Sequence, residues 1–148
     1  MLSTAHTLTS LPFAFIFDNP VAILGSTIIW HFISDMVLHW NIDPKDYPSF
    51  PYIRVGLDVV IGPLITLCAI RAQTFSTPVI LAVFGGNLPD IIHGFWYIAN
   101  EKYRRRMSGL LPFFRFHEAI QWETKRVIPG LIPQGLAIIA SLVFILLA

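Results

Sequence analysis

In a chain of 148 residues, 55% hydrophobic and only 13% charged, the charged fraction is far below the roughly 25% of a soluble domain. The length suits one domain, and a net charge of +1 gives no footing for a nucleic-acid partner. One cysteine, Cys68, excludes a disulfide framework and a cysteine-based zinc knuckle.

The apolar runs predict an all-α fold. We expect a polytopic membrane bundle of about four spanning helices, with a short N-terminal helix and an amphipathic helix before the last span. All of it forms a single integral membrane domain over residues 1–148. Ala5 to Phe17 is apolar, broken by Pro12 and closed by the turn signal Asp18-Asn19-Pro20. It either crosses the membrane or dips into it. With no Lys or Arg before Lys45 it lacks the basic start of a cleaved signal peptide, and it is expected to be retained. Pro20 opens a second helix running to about His39, long enough to cross. Asn41 to Pro51 is a proline-rich polar loop. Tyr52 to Ala72 is the next span, interrupted by Gly62-Pro63. Thr77 to Ala99 follows, weakened by Gly85-Gly86-Asn87 and Pro89. Glu101 to Gly109 is basic, Pro112 starts an amphipathic helix to about Val127, and Gly130 to Ala148 is the last span.

Charge asymmetry sets the orientation. Lys45, Arg54, Lys102, Arg104, Arg105, Arg106, Arg115, Lys125 and Arg126 fall on one side of this topology, against Arg71 on the other. The first side is predicted to be cytoplasmic, in a cytoplasmic (inner) membrane, with the C-terminus opposite. Arg104 to Arg106 serve as a topology signal or as ligands for lipid phosphate.

The ionisable groups gather on that same side. His31, Asp35 and His39 lie four residues apart on one face of the second helix. Asp58 lies just inside the third, Asp90 and His93 in the fourth, and His117 and Glu118 on the amphipathic segment. His6 lies 12 positions before Asp18, and His31 lies 12 after Asn19. An antiparallel hairpin brings those two to similar depth. Buried ionisable groups inside a membrane are costly, and such groups mark function. Singly, each has a structural role open to it: Asp90 as a helix cap, Asp58 or Asp35 as a partner of Arg54, His39-Trp40 as an interfacial anchor, and Gln121 and Gln134 as polar contacts between helices.

Together the set suits a divalent metal, zinc first, since imidazole and carboxylate are its usual ligands. His31 with Asp35, completed by His6 and by Asp58 or Asp90, is the preferred site. His93 and His117 are further ligands, for a second ion or to position a substrate. On a continuous helix His39 stands about 12 Å along the axis from His31. It therefore serves another ion or contacts substrate.

At these residues the chain resembles a family. Thr4-Ala5-His6, His31-x3-Asp35, and Gly86-x2-Pro89-Asp90 with His93 are similar to motifs of bacterial inner-membrane proteins predicted to be metal-dependent hydrolases. Those proteins are distantly similar to zinc-dependent phospholipase C. Small members carry a TAH start, an SHF-LD-PHW segment, an LPD segment and a late FH-x3-Q. Here these read TAHT, WHFISDMVLHW, NLPD and FHEAIQ, the last holding His117 and Gln121. Ile92 stands where the family often has a second Asp. The resemblance implies metal-dependent hydrolysis.

The expected activity is hydrolysis of a phosphoester, such as the headgroup of a membrane lipid, at the cytoplasmic face. Asp90 or Glu118 is the expected general base, and Arg104, Arg105 and Arg106 attract the anionic substrate. A proton or divalent-ion transporter and a non-catalytic membrane scaffold are the alternatives. The non-cytoplasmic half offers a transport route little beyond Ser26, Thr27, Thr66 and Ser141.

Overall fold

Asn19 starts the first long helix: its side chain accepts hydrogen bonds from the amides of Val21 at 2.8 Å and Ala22 at 3.3 Å, with Pro20 in the first turn. A computed structural model describes residues 1–43, 46–49, 51–69 and 76–147, and among these the secondary structure is helical apart from one isolated bridge. The helices are α1 (Ser3–Ser10), α2 (Phe13–Ile16), α3 (Pro20–Asp35), α4 (Tyr52–Ala69), α5 (Thr77–Ile98), α6 (Glu101–Arg106), α7 (Leu111–Ile120) and α8 (Val127–Leu147). Lys45 and Arg71, which enter the charge asymmetry, lie outside the described residues.

Among the described residues two helices, α5 and α8, are long and apolar enough to cross a membrane, fewer than the four expected. The expected second span stops at Asp35, leaving 16 residues, roughly 24 Å of helix against a hydrocarbon core of about 30 Å. Its end is set from outside the helix. Trp122 N donates to Asp35 O at 2.9 Å, His39 N to Trp122 O at 3.0 Å, and Thr124 N to His39 O at 2.8 Å. This short parallel pairing takes residues 36–39 out of the helix. It also ends α7 at Ile120 rather than near Val127. In α4, the 18 residues include Arg54 and Asp58.

At the centre lies α1, packed on α3, α4, α5 and α8. Glycines allow the close approach. A Cβ at Gly86 would stand 2.1 Å from Ser10 Oγ, and one at Gly85 would stand 2.1 Å from Thr27 Oγ1. The surface is rich in apolar side chains: Val21, Ile53 and Leu146 are 79%, 80% and 76% exposed. Among the described residues, fifteen buried side chains are polar and eight apolar. That distribution reverses the usual pattern of a protein folded in water.

Candidate metal centre

Helix spacing puts His31 and Asp35 on one face of α3, and His31 Nε2 lies 3.2 Å from Asp35 Oδ2. The helix α5 brings Asp90, just after Pro89 in its interior, to the same point. Its Oδ1 lies 3.7 Å from His31 Nε2 and 3.5 Å from His117 Nε2. From α7, whose amphipathic face buries Phe114 and His117, His117 Nε2 comes within 3.0 Å of His31 Nε2 and 3.1 Å of Asp35 Oδ2. One ligand atom from each of His31, Asp35, Asp90 and His117 falls within 4.8 Å of the other three. This group can hold a metal ion. Four bonds of about 2.0–2.2 Å in a tetrahedron put neighbouring ligand atoms roughly 3.3–3.6 Å apart. The observed separations bracket that range.

The hydrogen bonds behind the ligands fix which nitrogen is free. His31 Nδ1 lies 2.8 Å from Gly86 O, a carbonyl, so Nδ1 carries the proton and Nε2 presents a lone pair. His117 Nδ1 faces His93 Nδ1 at 3.1 Å. With His117 as donor there, its Nε2 is a lone pair as well. Two imidazole lone pairs and two carboxylates then converge on one point. Two donors reach the cluster: the Met1 α-ammonium, 2.6 Å from Asp35 Oδ1, and the Gln121 amide, 3.2 Å from His117 Nε2. A cation between the four acceptors removes the remaining repulsion.

Other predicted residues take different places. His6 is stacked on His31, ring centroids 3.9 Å apart, with its Nε2 3.1 Å from Asp35 Oδ1. His39 does not stand 12 Å away. The helix ends before it, and the chain turns its Nε2 back to 3.9 Å from Asp35 Oδ1. Its Nδ1 donates to Val37 O at 2.7 Å, and burial lowers the His39 pKa to about 4, which keeps the ring neutral. Asp58 stands outside the four-residue group. Its carboxylate caps α1, accepting from Ser3 N at 2.6 Å and Thr4 N at 3.0 Å, where a helix N-terminus favours an anion. His93 sits one layer behind His117, and Glu118 one layer further, its Oε1 3.7 Å from His93 Nε2 and 3.1 Å from the Tyr97 hydroxyl.

The arginines are tied to their own neighbourhood. Arg104 donates to Trp96 O and Tyr97 O at 3.0 and 2.9 Å, satisfying carbonyls at the end of α5. Arg105 pairs with Glu101, and Arg106 lies over Tyr103. Glu123 escaped the sequence reading, and Gln121 entered it only as a contact between helices and as the last residue of FHEAIQ. Glu123 is drawn to His39 only by the parallel pairing, which has no local sequence signal; its Oε1 stands 3.9 Å from His39 Nε2. Gln121 was legible as the i+4 partner of His117, although we expected it to join helices.

A cavity of about 550 Å³ opens beside the cluster. Its lining includes the polar Asp90, His93, Gln121 and Glu123 and the apolar Val59, Pro63, Ile80 and Val83. Comparison of the chain with family models, curated proteins and solved structures finds no match.

Proposed function

We propose that this protein is a membrane-embedded, metal-dependent hydrolase acting on a lipid phosphoester, in a polytopic bundle of about four spanning segments. The observation that carries the reading is the convergence of His31, Asp35, Asp90 and His117 beside a cavity that Asp90 itself lines and whose lining is otherwise largely apolar. Along α5 the lining runs from Tyr97 through His93 to Val83, Ile80 and Val79, roughly 27 Å of helix, comparable with a whole hydrocarbon core about 30 Å thick. A headgroup at the cluster and an acyl chain along α5 suit that lining. The polar interior and apolar surface support immersion in lipid beyond the two long helices.

A divalent ion at this group, zinc by its nitrogen and oxygen donors, supplies Lewis acidity toward a phosphoryl oxygen and an acidified water. His31 and His117 hold their lone pairs in place through Gly86 O and His93. Asp90 is engaged as a ligand, which leaves the general-base role to a carboxylate outside the group. Glu123 lines the cavity and is held by the Asn41 amide at 3.3 Å, and we assign it the proton from the attacking water. Glu118, placed behind His93, orients that histidine. Lys102, Arg104 to Arg106, Arg115, Lys125 and Arg126 all lie between α5 and α8, which supports a cytoplasmic site at that end and a C-terminus on the opposite side. Leu8, Leu11 and Val79 pack with Ile138 and Leu142 toward the other end, a poor path for ions. The resemblance to predicted membrane-bound metal-dependent hydrolases agrees with this reading.

Elemental analysis of detergent-purified protein, with a phospholipid panel assayed for released alcohol or phosphate, tests it. We expect stoichiometric metal and cleavage of at least one lipid class, both lost in His31→Ala. A folded wild type without zinc, manganese or iron, inert toward the panel, overturns it.

A further inference from the structure

Each carboxylate of the cluster turns its two oxygens toward different histidines. Asp35 Oδ2 and Asp90 Oδ1 face His31 and His117, at 3.1 to 3.7 Å. The other two oxygens face elsewhere: Asp35 Oδ1 lies 3.1 Å from His6 Nε2 and 3.9 Å from His39 Nε2, and Asp90 Oδ2 lies 3.7 Å from His6 Nε2. On this second side His6 faces one oxygen of each carboxylate, and His39 faces that of Asp35.

The second pair of histidines has the same tautomer control as the first. The Ser34 hydroxyl donates to His31 O at 2.8 Å, so its oxygen accepts from His6 Nδ1 at 3.2 Å. His39 Nδ1 donates to Val37 O. Both Nε2 atoms are therefore lone pairs. Both are buried in side chains with no exposure, and neither has a hydrogen-bond partner. Buried polar atoms without a partner are rare and costly. Here two point at the same carboxylate oxygen. The Met1 α-ammonium, already 2.6 Å from Asp35 Oδ1, marks that oxygen as a place for positive charge.

We propose that His6, His39, Asp35 and Asp90 bind a second divalent ion, with the two aspartates bridging it to the ion held by His31 and His117. The inference rests on the metal-dependent reading above and deepens it. The second ion takes over the Asp35 Oδ1 contact from the Met1 ammonium. It also places Glu123 beside a two-ion centre, the arrangement suited to clamping both the attacking and leaving oxygens of a phosphoryl group. Ser34 is then a positioning residue, holding the His6 ring by its Nδ1.

Metal content of the full chain, purified and reloaded with Mn(II), tests the proposal without any activity assay. Wild type is expected to hold two ions per chain with an exchange-coupled paramagnetic resonance spectrum. His6→Ala and His39→Gln are each expected to hold one ion with the signal of an isolated ion, and to keep a metal-induced rise in melting temperature. One ion per wild-type chain, with an uncoupled spectrum at saturation and no change in His39→Gln, overturns the second site and leaves the first standing. No bound ion in folded wild type overturns both. The wild-type stoichiometry and spectrum decide the question even where a variant fails to fold.

Discussion

From Met1 to Leu11 the chain passes through two different interiors. Its first half sits among Asp35, His31, Asn87 and Gln134. There Ser3 Oγ donates to Asn87 Oδ1 at 2.6 Å, and Leu2 N donates to Gln134 Oε1 at 3.0 Å. Its second half packs Leu8 and Leu11 on Val79, with Ile138 and Leu142 around them. Position in the first interior is set by charge and hydrogen-bond direction, so a change of chemistry at constant shape should matter most. In the second it is set by volume, so a change of shape should matter and chemistry at the cluster should survive. One helix spans both, which ties His6 to an apolar anchor two residues on.

The largest expected effect comes from altering charge alone. Asp35→Asn keeps the shape of a residue with no exposure and removes the carboxylate facing all of His6, His31, His39 and His117. The proposed hydrolysis should fall on the order of 10³-fold, about 4 kcal/mol of barrier, with bound metal lost in elemental analysis. Next is Leu8→Ala, which empties volume in the second interior. Its cost should lie toward the low end of about 2–5 kcal/mol, because under the proposed immersion lipid outside the bundle weakens the transfer contribution. Denaturation in detergent should show the loss while metal per folded chain stays at the wild-type value. Metal loss in Leu8→Ala would mean that the two interiors are one cooperative unit.

The apolar interior and the polar one were unequally legible. Proline and Asn19 marked the start of α3, and the long apolar runs marked α5 and α8 to within a few residues. Local spacing placed His31 beside Asp35, and the hairpin arms placed His6 beside His31. What could not be read was everything decided by distant pairing. Nothing in Met36-Val37-Leu38 stops a helix, so His39 was put one turn too far on. Only the strand-like contact with Trp122 and Thr124 turns it back. Asp58 has the chemistry of a ligand, but the free amides at the start of α1 claim its carboxylate, and that competition is invisible without the packing.

The smallest effect separates the ligands from the layer that orients them. His93 has two roles: its Nδ1 fixes His117, and its ring stacks between Tyr97 and Phe114, with centroids 4.9 and 5.1 Å away. Truncation to alanine would mix the two. His93→Phe keeps the aromatic stack and removes the nitrogen, so His117 Nδ1 loses its hydrogen-bond partner while the packing persists. Metal affinity should weaken by about 10–100-fold, as for other partners of metal-bound histidines. The stoichiometry at saturating metal should stay unchanged, as should the melting temperature of the metal-free protein. Competition with a chelator measures the first and calorimetry the last. Unchanged affinity in a folded His93→Phe would remove the nitrogen's role and leave the ring as packing, moving His93 from the polar interior to the apolar one.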